Sequence, residues 1–408
     1  MEALKFVIVG HVDHGKSTLI GRLLFDTDSL PLGKIEEIKK ASEAAGRETE
    51  FAYLLDHLEE ERRRGITIET TQVFFKSGGR EYVIIDAPGH VEFIKSMVTG
   101  ASHAEAAVLI VDVNEGIKEQ TKRHAHIVSL LGINQLIVVV NKMDLEKFSK
   151  KAFDLVRKDT EKFLGNIGIT ARFYVPISAL KGENITKGSK KMAWYNGPAF
   201  LEALRTLKNK ELPENKPLIF PVQDVYTIKD KRIVAGKLEA GIIKKGQSIR
   251  ILPHNRIRKV KSIEKYPCQA DKATSGESIG ITCCAGDSMF FKRGDIICEE
   301  GREPFFVDSF QANIFWLSKH DLHKDQKLVL RCATQETACK IEKIKKRIDS
   351  STLEIIEEDS GRLRYLEVGE VLVKVKKPIA IKRFSDVQEL GRFVLVKDEN
   401  TCAGGIVT

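Results

Sequence analysis

Gly10-His11-Val12-Asp13-His14-Gly15-Lys16-Ser17-Thr18 places two glycines, a lysine and a hydroxyl at the spacing G-x-x-x-x-G-K-[ST]. Glycines let backbone N–H groups approach phosphate oxygens, and a helix opening at the lysine adds positive potential. Lys16 is of the type that reaches β- and γ-phosphates, and the Ser17 hydroxyl suits Mg²⁺. The apolar segment Phe6–Val9 precedes the loop. From Ser17 to Leu24, Leu19, Ile20, Leu23 and Leu24 share one helical face. The motif thus has the strand before it and the helix after it that its chemistry requires.

Three further clusters follow in order. Asp86-Ala-Pro-Gly89-His90 ends the apolar run Tyr82–Ile85. Asp86 suits a water-bridged Mg²⁺ contact, the Gly89 N–H could approach a γ-phosphate, and His90 could orient an attacking water. Asn141-Lys142-Met143-Asp144 also follows an apolar run. A carboxylate at Asp144 can accept from both N1–H and N2–H₂ of guanine, a donor pair that adenine lacks, so it selects GTP. Asn141 can bond the base and the phosphate loop, and the Lys142 stem can cover the base. Ser178-Ala179-Leu180 could supply an N–H to guanine O6. In Arg64-Gly-Ile-Thr67-Ile68, Thr67 could complete the Mg²⁺ shell when a γ-phosphate is present, which would make the segment a switch. The preceding charged stretch, Glu59–Arg64, reads as a solvated helical face.

Elements that could position these groups are readable in the same half. Phe6–Val9, Tyr82–Asp86, Val108–Asp112, Leu136–Asn141 and Phe173–Ile177 are short apolar runs separated by helical patterns. Such alternation predicts an α/β domain with a mainly parallel sheet covered on both faces. Ligands then bind beyond the carboxyl ends of the strands, where the polar turns fall. Ser77-Gly-Gly-Arg80 reads as a hairpin turn.

Leu212-Pro-Glu-Asn-Lys-Pro217 marks a linker. Beyond it strands are short and turns frequent, and a second break lies around Glu300–Pro304. The expectation is a P-loop domain over 1–212 and two all-β barrel domains over 213–302 and 303–408. The chain is 42% apolar and 30% charged, enough for several cores. Its apolar runs, such as Leu136–Val140, are too short for a membrane helix, and its start shows no signal-peptide pattern, so a cytoplasmic location is expected. Seven cysteines without a CxxC pair predict reduced thiols, with neither a disulfide framework nor a zinc site. Most of the net charge of +9 lies after residue 212, which suits RNA or an acidic protein partner.

GHVDHGKST, RGITI, DAPGH, NKMD and SAL, in this order, resemble the translation-factor class of GTPases, to which elongation factors Tu and 1-alpha belong. The resemblance implies GTP and Mg²⁺ binding, hydrolysis aided by His90, and an apolar gate of Val12 and Ile66 beside that histidine. Within the class, the segment between Leu24 and Arg64 is similar to elongation factor 1-alpha and to the GTPase subunit of sulfate adenylyltransferase. Trp194–Pro198 with Phe200–Leu204, Pro221–Tyr226 and Arg232–Gly236 look like the sulfate-activating type. His14 is instead of the translation-factor form. The third domain looks distant from the elongation factors. The leading expectation is therefore a GTPase subunit that drives adenylyl sulfate synthesis by a separate sulfate-adenylylating small subunit. The alternative is a factor that carries an RNA-bound cargo, with the ribosome and tRNA as partners.

Overall fold

The computed structural model describes residues 3–30, 72–86, 104–209, 215–228, 231–265, 269–284 and 291–408. Thr67, Gly89, His90, the segment Arg64–Ile68 and the side chain of Asp86 lie outside the described residues. The chain forms two compact units, the first over residues 1–210 and the second holding the all-β half.

The first unit is built on a six-stranded sheet of β1 (Leu4–Gly10), β2 (Gln72–Ser77), β3 (Arg80–Asp86), β4 (Ala106–Asp112), β5 (Leu136–Asn141) and β6 (Ala171–Pro176). The spatial order is β2-β3-β1-β4-β5-β6, parallel except for the edge strand β2. Every residue of β4 and β5 is buried, and so are all but one of β1, as expected for strands covered on both faces. The hairpin predicted at Ser77–Arg80 joins β2 to β3, with Gly78 and Gly79 at φ 58° and 75°. Two successive positive φ values are the backbone of a type I′ turn, which glycine adopts without penalty.

Helix α1 (Lys16–Asp26) buries Leu19, Ile20, Leu23 and Leu24 in the same core cluster as Phe6, Ile8 and Ile110. Helix α2 (Glu119–Leu130) buries Thr121, His124, Ala125 and Val128. In α3 (Lys150–Asn166) the Ser149 hydroxyl caps the N-terminus by accepting from Ala152 N, and Phe153, Val156, Phe163 and Leu164 form the buried stripe. A short helix, α4 (Phe200–Arg205), contributes four buried residues to the core. Parallel pairing sets Gly10 beside Ile110 and Asp112 beside Asn141. The phosphate-loop motif and the Asn141–Asp144 motif therefore leave the sheet at the same end, where the sequence pattern predicted the ligand would sit.

The second unit contains two antiparallel barrels. In the first, Ser248–Leu252 pairs with both Ile296–Glu299 and Arg256–Glu264, which closes the sheet around Phe220, Val222, Ile249, Ile263 and Ile281. In the second, Leu328–Cys332 pairs with Gln335–Asp349 and Arg392–Lys397, around Ile314, Trp316, Ile341, Val373 and Leu395. Closure removes open sheet edges from these strands. A smaller apolar cluster contains Ile219, Leu252 and Ile296 of the first barrel together with Ala380, Val387 and Leu390 of the second. The expected architecture, an α/β domain followed by two β-barrels, is the observed one. The six cysteines described are free thiols, and no helix among the described residues is long and apolar enough to cross a membrane.

Phe6 is fully buried on β1 below the phosphate loop and meets Phe75 edge-on at 6.4 Å. Phe6→Ala is expected to cost about 3–5 kcal/mol through lost transfer energy and a cavity. The check is a lower denaturation midpoint of the first unit in urea.

Candidate nucleotide site

Residues 11–15 link β1 to α1, and their shape depends on the absence of two side chains. A Cβ on Gly10 would lie 2.5 Å from Ile110 O. Gly15 has φ 90°, and a Cβ there would lie 2.3 Å from Asn141 Nδ2. Only glycine allows the loop to pass this close to β4 and to Asn141. Asp13 is also left-handed, at φ 64°. No side chain caps the N-terminus of α1 and its first turn holds no acid. That end presents backbone N–H groups and the positive pole of the helix, the arrangement that binds phosphate. Lys16 Nζ folds back over the loop and donates to Gly10 O at 3.1 Å and His11 O at 3.4 Å.

Asn141 ends β5 and is 2% exposed. Its Nδ2 donates to His14 O at 3.0 Å, and its Oδ1 accepts from Ala179 N at 3.0 Å. One amide thus ties the phosphate loop to the Ser178–Leu180 loop. Ser178 is fully buried and its hydroxyl donates to Asp144 Oδ1 at 2.5 Å. Lys181 N donates back to Ser178 Oγ at 3.2 Å. The carboxylate of Asp144 is held in place while its other oxygen keeps acceptor capacity. Behind it, Ser178 and Glu183 exchange two backbone hydrogen bonds, and Asn184 Nδ2 donates to Pro176 O at 2.8 Å. Ala179 is buried and Leu180 is exposed.

The backbone either side of Lys142 is also fixed. Val113 N donates to Asn141 O and Met143 N to Ile177 O, at 3.0 and 3.1 Å. Lys142 itself has φ 63°, and its ammonium lies 2.7 Å from Asp112 Oδ2. Burial alone would raise the Asp112 pKa, but the hydrogen bonds from Lys142 and the Asn114 N–H outweigh it and hold the carboxyl below its ordinary value.

Three histidines lie at or beneath the loop. His14 is fully buried, with its ring edge-on to His11 at 5.2 Å. Its Nε2 faces Glu115 Oε2 at 3.6 Å, and its Nδ1 lies 3.3 Å from Asp112 N and 3.4 Å from Ile110 O. With the proton on Nε2, Nδ1 accepts from the Asp112 N–H. Burial lowers the His14 pKa, against the Ile110 carbonyl and the nearby Asp112 and Glu115 charges, and favours the neutral ring. His124, 1% exposed on α2, is pushed down to about 3, first by burial and then by the charge of Lys16, although a hydrogen bond to the Gly10 backbone opposes the shift.

The structure therefore brings together Gly10–Thr18, Asn141, Lys142, Asp144 and Ser178–Leu180. It also places the end of β3 beside β1, with Asp86 in register with Ile8. Sequence reasoning missed Asp112 and His124. Asp112 gave one signal, its place as the last residue of an apolar run; its register with Asn141 is visible only in the structure. His124 gave only its place on the apolar face of a helix.

The groups that the sequence suggests for a cation are hard oxygens: Ser17, seen in the first turn of α1, Asp86 at the end of β3, and Thr67, which lies outside the described residues. Among the described residues no three His, Cys, Asp or Glu side chains converge to hold a metal by themselves. Hard oxygens of this kind are the donor type that Mg²⁺ takes alongside waters and substrate phosphates.

The profile of the elongation factor Tu GTP-binding domain matches residues 1–213, that of elongation factor Tu domain 2 matches 231–298, and that of the eEF1A-like C-terminal domain matches 309–408. The chain belongs to the elongation factor Tu family of GTP-binding proteins, and it is a GTPase of that superfamily. It is 36% identical over 408 residues to elongation factor 1-alpha of Methanosphaerula palustris, covering 99% of this chain and 96% of the relative. It is 38% identical over 409 residues to elongation factor 1-alpha of Thermoplasma volcanium, covering 98% and 96%. The same identity holds over 415 residues with elongation factor 1-alpha of Pyrococcus furiosus, covering 99% and 97%. The solved structure of sup35 complexed with GDP is 25% identical and has a TM-score of 0.46, covering 100% of this chain and 94% of the solved one. The expectation that the third domain stands far from the elongation factors is corrected by its match to the eEF1A-like C-terminal profile.

Two outcomes follow. Gly15→Ala is expected to weaken nucleotide binding by at least about 10²-fold, because left-handed strain of about 1–2 kcal/mol adds to the clash with Asn141; titration with a fluorescent GTP analogue reads it. For His124, an unfolded imidazole titrates near 6.5, so the unfolded state binds the extra proton between about pH 6.5 and 3. Its contribution to stability is complete above about pH 6.5 and falls by about 1.4 kcal/mol per unit below it. Denaturation midpoints at pH 7.5 and 5.5 should differ less in His124→Gln than in the parent.

Proposed function

We propose that the chain is a translational GTPase of the elongation factor 1-alpha type, which carries an aminoacyl-tRNA to the ribosome and uses GTP hydrolysis as the timing step. The observation that carries the reading is likeness along nearly the whole chain to proteins named elongation factor 1-alpha. The proposed domains are 1–212, 213–302 and 303–408. The sulfate-activating reading is the weaker one. None of the relatives described above is a GTPase subunit of sulfate adenylyltransferase, and the segments that suggested it, including Trp194–Pro198, lie within the alignments to elongation factor 1-alpha.

The roles rest on this chain's own groups. Gly10, His11, Val12, Asp13, His14, Gly15 and Thr18 shape the phosphate cradle, and Lys16 neutralises the β- and γ-phosphates. Ser17, Thr67 and Asp86 would hold Mg²⁺, whose charge offsets that of the phosphates when bound. Gly89 presents its N–H to the γ-phosphate and His90 positions the attacking water. Asp144 reads the guanine N–H groups, the Ala179 and Leu180 backbone faces O6, and Lys142 covers the base. Asn141 and Ser178 hold these loops in register. The ribosome responds to the γ-phosphate through the groups that contact it, Thr67 and Gly89 among them.

The test is aminoacyl-tRNA protection and ribosome-stimulated hydrolysis. The GTP-bound chain should shield the aminoacyl ester, the GDP-bound chain should not, and ribosomes should speed hydrolysis. No protection and no stimulation, together with GTP-dependent adenylyl sulfate synthesis by a co-purifying subunit, would reject the reading. Asp144→Asn should transfer preference from GTP to xanthosine triphosphate, measured by competition. His90→Ala should keep GTP affinity and slow single-turnover hydrolysis by about 10²-fold or more.

A further inference from the structure

We propose that Asp112 is a positioning residue for the guanine nucleotide: its carboxylate pins the Lys142 ammonium and so builds the alkyl wall over the base before the nucleotide arrives. The proposal rests on the reading of Lys142 as the base cover and deepens it.

The topology makes the pair. β4 and β5 are parallel neighbours with Asp112 in register with Asn141, so the last side chain of β4 stands next to the first residue beyond β5. Asp112 Oδ2 lies 2.7 Å from Lys142 Nζ, with the carboxylate side chain 3% exposed and the lysine 31%. Its other oxygen, Oδ1, accepts from Asn114 N at 2.7 Å, which fixes the orientation of the carboxylate. Glu115, the next acid along this turn, faces His14 and Lys118 instead, each at 3.6 Å.

A pinned lysine matters because of what a free one would cost. Lysine carries about 1.5–2 kcal/mol of rotamer freedom, and ordering it only when the base arrives would subtract from affinity. Lys142 also sits in the left-handed region, a conformation that non-glycine residues keep only where their surroundings over-determine it. Backbone hydrogen bonds on both sides fix its main chain, and Asp112 fixes the far end of its side chain. The stem between these two anchors has one course. Stability alone is a poor account of the pair, because a buried ion pair contributes little net folding energy against its desolvation.

Asp112→Asn removes the charge while keeping the main-chain N–H toward His14 and an oxygen that can accept from Asn114. The experiment compares Asp112→Asn, Lys142→Met and the double variant in the full chain, using dissociation rates of fluorescent GTP and GDP analogues. Asp112→Asn is expected to speed release of both by about 10- to 30-fold, the rotamer freedom regained. Lys142→Met should speed it at least as much, and the double variant should be no faster than Lys142→Met alone. A purely structural role would instead make the two effects multiply. Release within twofold of the parent in either single variant, or multiplied effects in the double, would overturn the proposal. Asp144→Asn, measured alongside, separates the premises. If it switches base preference while Asp112→Asn changes nothing, only the positioning role fails. If it does not switch, the base-loop reading fails and the proposal with it.

Discussion

The nucleotide site depends on one buried amide. Asn141 donates to the phosphate loop and accepts from the Ser178–Leu180 loop, and neither bond can be exchanged for water where it lies. An unsatisfied buried polar group costs about 1–3 kcal/mol, so losing this side chain would strand both His14 O and Ala179 N. Three loops from distant parts of the chain are thereby held in one arrangement. Gly15 is part of the same constraint, since the space a Cβ would need is the space Asn141 occupies. The loop motif and the base motif are two halves of one packing requirement.

Beneath the amide lies the sheet. β1, β4 and β5 are buried on both faces and bring the loops to a common end. At that end polar groups are used twice. Asp112 supplies a carboxylate to Lys142 and an N–H to His14, and Asn141 supplies its side chain to two loops and its carbonyl to Val113. Such sharing makes a site rigid before ligand arrives, which lowers the ordering cost of binding.

The sequence made this half readable because its signals are local. Gly10–Thr18, Asn141–Asp144 and the apolar runs around them are contiguous, and short spacings carry their chemistry. Strand alternation with helices gave the parallel sheet, and glycine-punctuated short strands gave the barrels. Asp112 and His124 were not legible, because their roles arise from cross-strand register and from a helix laid against the loop. Those are contacts between residues far apart in sequence. The subgroup was hard to read from the sequence for a related reason. Trp194–Pro198 was weighed as a marker of sulfate activation, yet in the structure Trp194 donates to Phe148 O and packs on Phe153 at 5.4 Å. A packing segment of this kind carries no information about the partner. The charge excess of the C-terminal half names no partner by itself, and two of its basic residues, Lys265 and Arg347, are engaged in ion pairs with Glu277, Glu357 and Glu367.

The most direct test of this account is calorimetric titration of Asn141→Ala with GTP and with GDP. The account predicts that both affinities fall together by about 10²-fold or more, from two stranded backbone groups of about 1–3 kcal/mol each, while the fold persists. Affinities for both nucleotides within twofold of the parent would contradict it, because the loops would then hold their arrangement without the amide that links them.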